Sequence, residues 1–321
     1  MHPPDFLHKE AATELCEHFI AAGAACSLCT NSAHVLEAAR KTFPHLDHHP
    51  ASVDLSLRFW IDEKDPSQPP WPAPYVRGLD HLVFASFDAG SSILADLRSR
   101  HVIGRFSPSM AADGSYWQSV IFPMLLTIVS ASIGVAELHC ACVSDNQNGV
   151  LLAGPSGAGK STLALALTQI GYGFLSDDRT LCSLDNGEVR AWGLRTQLKL
   201  RSDAAHWFES LPDSHFTDTR SSNPSLWLDP ERLPGLKRVS HCSPRSLIFL
   251  ERLDTPEFRL IAMSSDEALN RLNEGLMAEL PDASVRRSEV LQQLVAVPCW
   301  LLQYGREPQN TARQLSEHLG R

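Results

Sequence analysis

Residues 151–178 read LLAGPSGAGKSTLALALTQIGYGFLSDD. An apolar strand pattern runs into a glycine-rich loop, and the loop leads directly into the helical pattern LALALTQI. Residues 154–162 match the motif GxxxxGK[ST] at every fixed position. Strand, loop and helix therefore follow in the order that a phosphate-binding loop requires, and the sequence predicts a nucleotide site on an α/β sheet.

The residue types of this loop suit phosphate binding. Glycines let the backbone wrap closely around phosphate, while amide N–H groups and the helix N-terminus supply partial positive charge. Lys160 adds a full charge toward the β- and γ-phosphates, and Ser161 would place its hydroxyl on Mg²⁺. We therefore expect ATP and Mg²⁺ as cofactors. The predicted nucleotide-binding residues are Gly154, Ser156, Gly157, Gly159, Lys160, Ser161 and Thr162.

Two adjacent carboxylates, Asp177 and Asp178, follow only fifteen residues after the last hydroxyl of the loop. The helix is expected to end near Gly171, and YGFLSDD then reads as a short strand. A strand beside the loop strand would bring both aspartates to the carboxyl edge of the sheet, where α/β sheets bind ligands. Adjacent strand residues point to opposite faces, so one aspartate can hold the metal while the other accepts a proton. Two solvated aspartates that open a turn are the alternative.

These residues resemble a known family, the bacterial HPr serine kinase/phosphorylases, in their C-terminal catalytic domain and in the shorter HPr-kinase-related proteins. The match consists of Leu138-His139, then GVLLAGPSGAGKST, then GYGFLSDD, because the family places a histidine, a P-loop and an Asp-Asp pair in this order and spacing. The resemblance covers about residues 135–255. It implies an α/β P-loop kinase domain, similar to the nucleotide domain of phosphoenolpyruvate carboxykinase. The N-terminal residues do not match the family, and their own sequence pattern predicts an α+β region.

The resemblance also implies roles for the matching residues. His139 would be an active-site residue near the transferred phosphate, Asp177 the catalytic base, and Asp178 a metal-linked carboxylate. Arg195 lies where the family signature would be and is our first choice for a catalytic cation that stabilises the transferred phosphoryl group. Other candidate cations are Arg179, Lys199, Arg201, Arg220, Lys237, Arg238 and Arg245. Without the resemblance, His139 could equally be a structural residue packed between strands.

Two departures from the family pattern bear on the substrate. Thr162 stands where the family has a glutamate, and the downstream family signature is reduced to VRAWGLRTQLKL at 189–200. Both departures argue against the phosphorylase reaction and against HPr as substrate. We therefore predict an ATP-dependent serine kinase whose partner is a protein or peptide with an acceptor serine. The alternatives are a small-metabolite kinase, with free serine for example, and a nucleotide-binding regulatory protein that has lost transfer.

The rest of the chain predicts two domains, a 1–118 α+β region that could recognise substrate and a 119–321 catalytic domain. Apolar spacing favours a helix within 10–43, and alternation favours a strand at 53–61. Further strands are predicted at 81–87, 92–97 and 101–106, as an antiparallel meander, and at 246–252 and 296–305. The apolar run from Val120 to Ala136 is short for a membrane span and contains polar residues, so a buried helix is expected.

Composition limits the partners. A formal net charge of −9 gives no attraction to nucleic acid or to an anionic membrane, and neither is expected as a partner. The first residues lack a secretory signal pattern, so a cytoplasmic protein with reduced cysteines is expected. The lone CxxC at Cys26 and Cys29 and the histidines near His45 are not expected to bind metal. The family resemblance allows a homo-oligomer.

Overall fold

The computed structural model describes residues 13, 15–62, 68–194, 198–208, 211, 225–255, 257–273, 281–305 and 307–320. The chain forms two compact units. One contains Met1–Ile133 with Leu280–Ala283, and the other contains Gly134–Glu279 with Ser284–Arg321. The predicted boundary falls earlier, after residue 118. The difference arises because the apolar helical segment after residue 118 belongs to the aromatic core of the first unit, where Phe122 contacts Phe43 and Trp117.

The first unit is built on one seven-stranded sheet. Its strands are β1 (Leu15–Ala21), β2 (Ala24–Thr30), β3 (Leu55–Ile61), β4 (Tyr75–Leu79), β5 (Leu82–Ser86), β6 (Ser92–Asp96) and β7 (His101–Phe106). Their order across the sheet is β1-β2-β3-β7-β6-β5-β4. Helix α1 (Ala33–Thr42) connects β2 to its parallel neighbour β3. The predicted strand at 53–61 and the meander of β5, β6 and β7 are confirmed.

The helix predicted within 10–43 is only partly correct. Its second half is α1, whose N-cap Ser32 accepts a hydrogen bond from the Val35 amide. Its first half instead forms the hairpin of β1 and β2, and residues 10–12 and 14 lie outside the described residues. Gly23, with φ 88°, makes the tight turn of this hairpin possible. Alternating burial along β1 and β2 therefore overrides the helical spacing of Leu15 and Phe19.

Cys16 and Cys29 face each other across β1 and β2 and form a disulfide. The prediction of reduced cysteines is wrong for this pair, because the hairpin brings together two residues that the expected helix would have separated. The free cysteines of the described part of the chain are all buried, namely Cys26, Cys140, Cys142, Cys182, Cys242 and Cys299. No group of three or more His, Cys, Asp or Glu side chains among the described residues could hold a metal ion.

A helical segment completes the first unit. It consists of α2 (Pro108–Ala112), α3 (Gly114–Tyr116), a π-helical turn (Trp117–Ile121), α4 (Phe122–Val129) and a 3₁₀ turn (Ser130–Ile133). By length and composition the part from Gly114 to Ile133 could cross a membrane, and half of its most apolar window is buried. Its largest side chains, Trp117 and Phe122, are fully buried, as expected of a core helix. Within the first unit Phe122 packs on Phe43 at 5.1 Å between ring centroids.

The second unit contains a ten-stranded and a two-stranded sheet. Its strands are β8 (Val135–Leu138), β9 (Cys140–Asp145), β10 (Asn148–Ala153), β11 (Gly173–Ser176), β12 (Thr180–Asp185), β13 (Glu188–Trp192), β14 (Leu198–Arg201), β15 (Ser225–Leu228), β16 (Lys237–Arg238), β17 (His241–Arg252), β18 (Phe258–Met263) and β19 (Cys299–Tyr304). Its helices are α5 (Lys160–Gln169), α6 (Ser265–Asn273), α7 (Pro281–Leu294, of which the second unit contains the part from Ser284) and α8 (Pro308–His318). This is the mixed α/β architecture that the sequence predicts.

In the larger sheet of this unit, β10, β17 and β19 are adjacent and parallel. On the other side of β10, the antiparallel strand β9 separates it from β11. Strand β11 therefore runs parallel to β10 without touching it. The start of β17 also pairs with β13, from which β12 and β8 continue as a branch. The remaining strands complete the edges, with β16 beside β11 and β18 beside β19. The pair β14 and β15 forms the two-stranded sheet.

Helix α5 is buried along almost its whole length. Its residues 163–168 are all buried, and 163–167 belong to a cluster that includes Leu152 and Ile248 of the sheet, Leu315 of α8 and Leu200 of β14. The predicted helix and the predicted strands at 246–252 and 296–305 are confirmed. Gly171, with φ 101°, follows the helix as its expected C-terminal glycine. The loop before α5 is thereby held on a rigid base.

Candidate functional site

The glycine-rich loop, residues 154–159, connects the carboxyl end of β10 to the first residue of α5. Three of its glycines have positive φ, at 148° for Gly154, 86° for Gly157 and 95° for Gly159. A Cβ atom on Gly154 would lie 3.0 Å from the carbonyl oxygen of Leu250. Only glycine accepts such angles and such close approach without strain. The spacing of glycines in the sequence is therefore a requirement of the backbone path.

Tyr304, at the end of β19, contacts the glycine-rich loop. Its hydroxyl donates a hydrogen bond to the carbonyl oxygen of Ala158 at 2.5 Å. A Cβ atom on Gly159 would lie only 2.2 Å from the same hydroxyl oxygen. Burial raises the pKa of Tyr304 to about 12, so its hydroxyl keeps its proton and remains a donor. Sequence analysis missed this residue, because no local pattern links positions that are 146 residues apart.

Helix α5 begins directly after the loop and has no side-chain cap. Gly159 is its N-cap residue, in the left-handed conformation, and glycine has no side chain to accept from the first-turn amides. The first amides of an α-helix lack intrahelical partners and carry partial positive charge. An uncapped N-terminus beside a curved glycine-rich backbone can therefore hold an anion, provided that other groups shape the site.

Lys160 is the first residue of α5 and is only 6% exposed. Its ammonium group donates to the carbonyl oxygens of Gly154 at 2.7 Å and Pro155 at 3.1 Å. The third contact, at 3.1 Å, is to Nε2 of His139. Burial lowers the pKa of Lys160, while the nearby carboxylate of Asp178 opposes that change. All three N–H groups of a buried cation are thus directed at the loop and the histidine.

His139 lies between β8 and β9 rather than within a strand, at the point where the chain passes from one sheet branch to the other. Its Nδ1 is 3.1 Å from both the carbonyl oxygen and the Oδ1 oxygen of Asp178. Because an ammonium group can only donate, Nε2 accepts from Lys160, and Nδ1 then carries the proton that it donates to Asp178. The imidazole therefore links the lysine to the second aspartate.

Asp177 is buried, with 6% exposure, at the end of β11. Its Oδ2 accepts a hydrogen bond from the Lys199 amide at 3.0 Å. Burial raises its pKa to about 6, although hydrogen bonds from the Ser161 hydroxyl and the Lys199 amide oppose the rise. Its Oδ1 is buried and has no hydrogen-bond partner among the described residues. Buried carboxylate oxygens normally have a hydrogen-bond donor or a cation beside them, so this oxygen can accept a ligand.

Asp178 has the opposite environment. Its side chain is 60% exposed, and its φ of 64° turns the chain sharply after Asp177. Two hydrogen bonds stabilise the turn. The Arg179 amide donates to the Asp177 carbonyl oxygen at 2.6 Å, and the Thr180 hydroxyl donates to the Cys140 carbonyl oxygen of β9 at 3.0 Å. The two aspartates therefore present one buried and one exposed carboxylate.

The expectation that the aspartate strand neighbours the loop strand is wrong, since β9 lies between β10 and β11. The loop and the aspartates still lie at the same edge of the sheet. Strands β10 and β11 are parallel, so both end there, and antiparallel β9 begins there, with Cys140 paired to Ala153. His139, just before β9, is placed between the loop and the aspartates for this reason. Of the predicted residues, Arg195 and Arg220 lie outside the described part of the chain.

The remaining predicted residues of the loop and of the first turn of α5 differ in their exposure. Ser156 is exposed at the tip of the loop, while Ser161 and Thr162 are half-buried in the first turn of α5. Ser161 is the one whose hydroxyl reaches Asp177. Residues from the loop, the helix and the end of β11 thus converge with His139 at the carboxyl edge of the sheet.

No model of a protein family and no curated protein matches the chain. Among solved structures, the chain is similar to the HPr(Ser) kinase/phosphatase from Coxiella burnetii. The two are 16% identical with a TM-score of 0.31, over 57% of this chain and 96% of that one. The likeness is weak, and nothing about activity, substrate or partner follows from it.

Proposed function

We propose that the second unit is an ATP-dependent kinase that uses Mg²⁺ and transfers the γ-phosphoryl group to a hydroxyl, with a serine of a protein or peptide as acceptor. The observation that carries the proposal is the convergence of a buried lysine, a hydroxyl and two aspartates at one sheet edge. Lys160 and Ser161 are adjacent at the start of α5, whereas the aspartate pair follows β11, and His139 contacts both Lys160 and Asp178.

Phosphate binding is the first step of this proposal. The loop acts as a P-loop, in which glycine backbone and the uncapped start of α5 cradle the phosphate chain. Lys160 lies against the loop carbonyls of Gly154 and Pro155, and its ammonium group would exchange a carbonyl contact for the β- and γ-phosphates. His139 keeps that ammonium group oriented at 3.1 Å.

The residues present fit Mg²⁺. The unpartnered Oδ1 of Asp177 lies in a carboxylate that also hydrogen-bonds the Ser161 hydroxyl, and both would hold the ion. Magnesium sites of this class use one or two carboxylates together with phosphate oxygens, so a complete all-protein cage is not needed. When bound, the ion would neutralise charge on the phosphate oxygens. This reverses the predicted roles, since Asp177 rather than Asp178 becomes the metal ligand.

Asp178 is then the proposed catalytic base. Its exposed carboxylate is accessible to an acceptor hydroxyl arriving from solvent, whereas Asp177 is buried. Asp178 would take the proton of the serine hydroxyl as the serine oxygen bonds to the γ-phosphorus. The bond between the γ-phosphorus and the β–γ bridging oxygen breaks, and its electrons stay on the ADP product. His139 orients the base through its Nδ1 contact with Oδ1 of Asp178 at 3.1 Å.

Transfer of label from γ-labelled ATP tests the proposal. The purified chain would be incubated with Mg²⁺ and with matched peptides containing serine, threonine or tyrosine, or with free serine. We expect label on the serine peptides, and we expect it to vanish in Lys160→Ala. Lys41→Ala, an exposed lysine of the first unit paired with Glu37 at 3.3 Å, is the matched control and should transfer normally. Lys160-dependent nucleotide binding without any transfer would contradict the kinase and favour a regulatory nucleotide switch.

A further inference from the structure

Strand β14 forms one wall of the site. Its residues alternate, with Leu198 and Leu200 buried in the cluster around α5 and with Lys199 and Arg201 exposed. The amide of Lys199 donates to Asp177, which fixes the strand against the aspartate turn. Side chains on one face of a strand recur every second residue, about 7 Å apart. Arg201 is therefore the next side chain on the exposed face after Lys199.

The guanidinium of Arg201 lies directly against the glycine-rich loop. Its Nη1 is 3.0 Å from the position that a Cβ atom on Gly157 would occupy. On the other side, its Nε is 3.6 Å from Oδ1 of Asp203, which orients the side chain. Gly157 has φ 86° and lies at the middle of the loop, where backbone amides of such loops contact phosphates.

The geometry points to Arg201 as a second phosphate-binding cation beside Lys160. This inference rests on the proposed nucleotide site. Its planar guanidinium suits phosphate oxygens, which it can contact through two N–H groups at once. It would bind the phosphate chain from the side of β14, opposite the contact that Lys160 makes from α5. Negative charge on the transferred phosphoryl group would then be shared between two cations.

Other described cations near the site are held elsewhere. The ammonium group of Lys199 lies over the ring of Trp227 at 5.3 Å, and Arg238 donates to the carbonyl oxygen of Leu194 at 3.0 Å. Arg179 pairs with Glu137 at 3.3 Å. Arg201 is the cation of this group whose guanidinium touches the loop, so it becomes the first candidate for a role that the sequence alone assigned to Arg195.

Nucleotide affinity of the full chain tests this inference. Dissociation constants for a non-hydrolysable ATP analogue and for ADP, both with Mg²⁺, would be measured for wild type, Arg201→Gln, Arg201→Lys and Arg201→Ala. Arg259→Ala is the matched control, because Arg259 pairs with Glu257 two residues away at 2.7 Å, as Arg201 pairs with Asp203. Arg201→Gln keeps side-chain length without charge, and Arg201→Lys keeps charge without the planar fork. Thermal unfolding would check that each variant folds.

We expect Arg201→Gln to weaken binding of the ATP analogue about tenfold to a hundredfold, and Arg201→Lys to lose less. Affinity should also depend less steeply on salt in Arg201→Gln, which a purely structural defect would not cause. Binding of Arg201→Gln within twofold of wild type, with Lys160→Ala defective, would overturn this inference alone. No nucleotide binding by wild type would overturn both it and the proposed function.

Discussion

The two units treat their charged side chains differently. In the first unit, ion pairs such as Lys41 with Glu37 and His81 with Asp80 lie at the surface. In the second, Lys160 and Asp177 are each only 6% exposed, and they are the two buried charged side chains among the residues that the structure describes. Surface pairs contribute about 1 kcal/mol or less, whereas burying a charge costs several kcal/mol. Buried charges with shifted pKa values concentrate at functional sites, which supports the proposed role of this pair.

Replacing each aspartate in turn should have the largest effect. Asp178→Asn should lower kcat about a thousandfold while affinity for the Mg²⁺-bound ATP analogue changes little, because only the proton acceptor is lost. Asp177→Asn should instead weaken the dependence of binding on Mg²⁺. Steady-state kinetics and Mg²⁺ titrations would separate the two effects. The opposite pattern would restore the assignment predicted from the sequence, with Asp177 as base.

The next effect concerns the free energy of unfolding, which the buried carboxylate of Asp177 should lower. The pKa of Asp177 is raised from 3.8 to about 6, so between these values the folded state holds a proton that the unfolded state has lost. Stability then falls as pH rises through this range, and the full penalty applies above pH 6. At about 1.4 kcal/mol per pKa unit the penalty is about 3 kcal/mol. Asp177→Asn should be more stable than wild type at pH 8, and equally stable near pH 3.5, in EDTA.

Asp113 of the first unit is the control for that experiment. Burial raises its pKa, but hydrogen bonds from Trp71, Ser115 and the Tyr116 amide outweigh burial and lower it overall. Asp113→Asn should therefore destabilise the chain at pH 7, and the difference should disappear as pH falls through the lowered pKa. Chemical denaturation at several pH values measures both variants. If Asp177→Asn gained nothing at pH 8, the buried carboxylate would not be destabilising and this half of the comparison would fail.

Much of the site could be predicted from local sequence, because the glycines, Lys160 and Ser161 are adjacent and the motif dictates their backbone path. Helix α5 and the strands around it follow from apolar periodicity. The insertion of β9 between β10 and β11 could not be predicted, since register and strand order depend on pairing across the sheet. Nor could the different burial of Asp177 and Asp178, which arises from a left-handed turn and from β14.

Contacts that distant residues make with the loop could not be predicted from the sequence. Tyr304 and Arg201 contact it from strands that no spacing rule connects to residues 154–159. The same limit explains the Cys16–Cys29 disulfide, because a cross-strand pair cannot be inferred where apolar spacing indicates a helix. The residues of the local motif could be predicted from the sequence, whereas contacts between distant segments could not.

Reduction of the disulfide probes the first unit by itself. A link between residues 13 apart in sequence contributes about 2–3 kcal/mol by restricting the unfolded chain. Dithiothreitol should lower the stability of the first unit by that amount and leave nucleotide affinity unchanged. The double variant Cys16→Ala with Cys29→Ala should be insensitive to dithiothreitol. A parallel loss of nucleotide affinity on reduction would show that the site depends on the first unit.

The smallest predicted effect is the most specific one. Tyr304→Phe removes the donor to the Ala158 carbonyl oxygen and leaves that oxygen without its partner, at a cost of about 1–2 kcal/mol. Because the hydroxyl fixes the loop, affinity for the ATP analogue should also fall severalfold. Tyr172→Phe is the control, since the buried Tyr172 hydroxyl contacts Ser316 at 3.3 Å, away from the loop. It should lower the unfolding free energy without changing nucleotide affinity. Equal affinity losses in both variants would mean that general stability, and not support of the loop by Tyr304, controls binding.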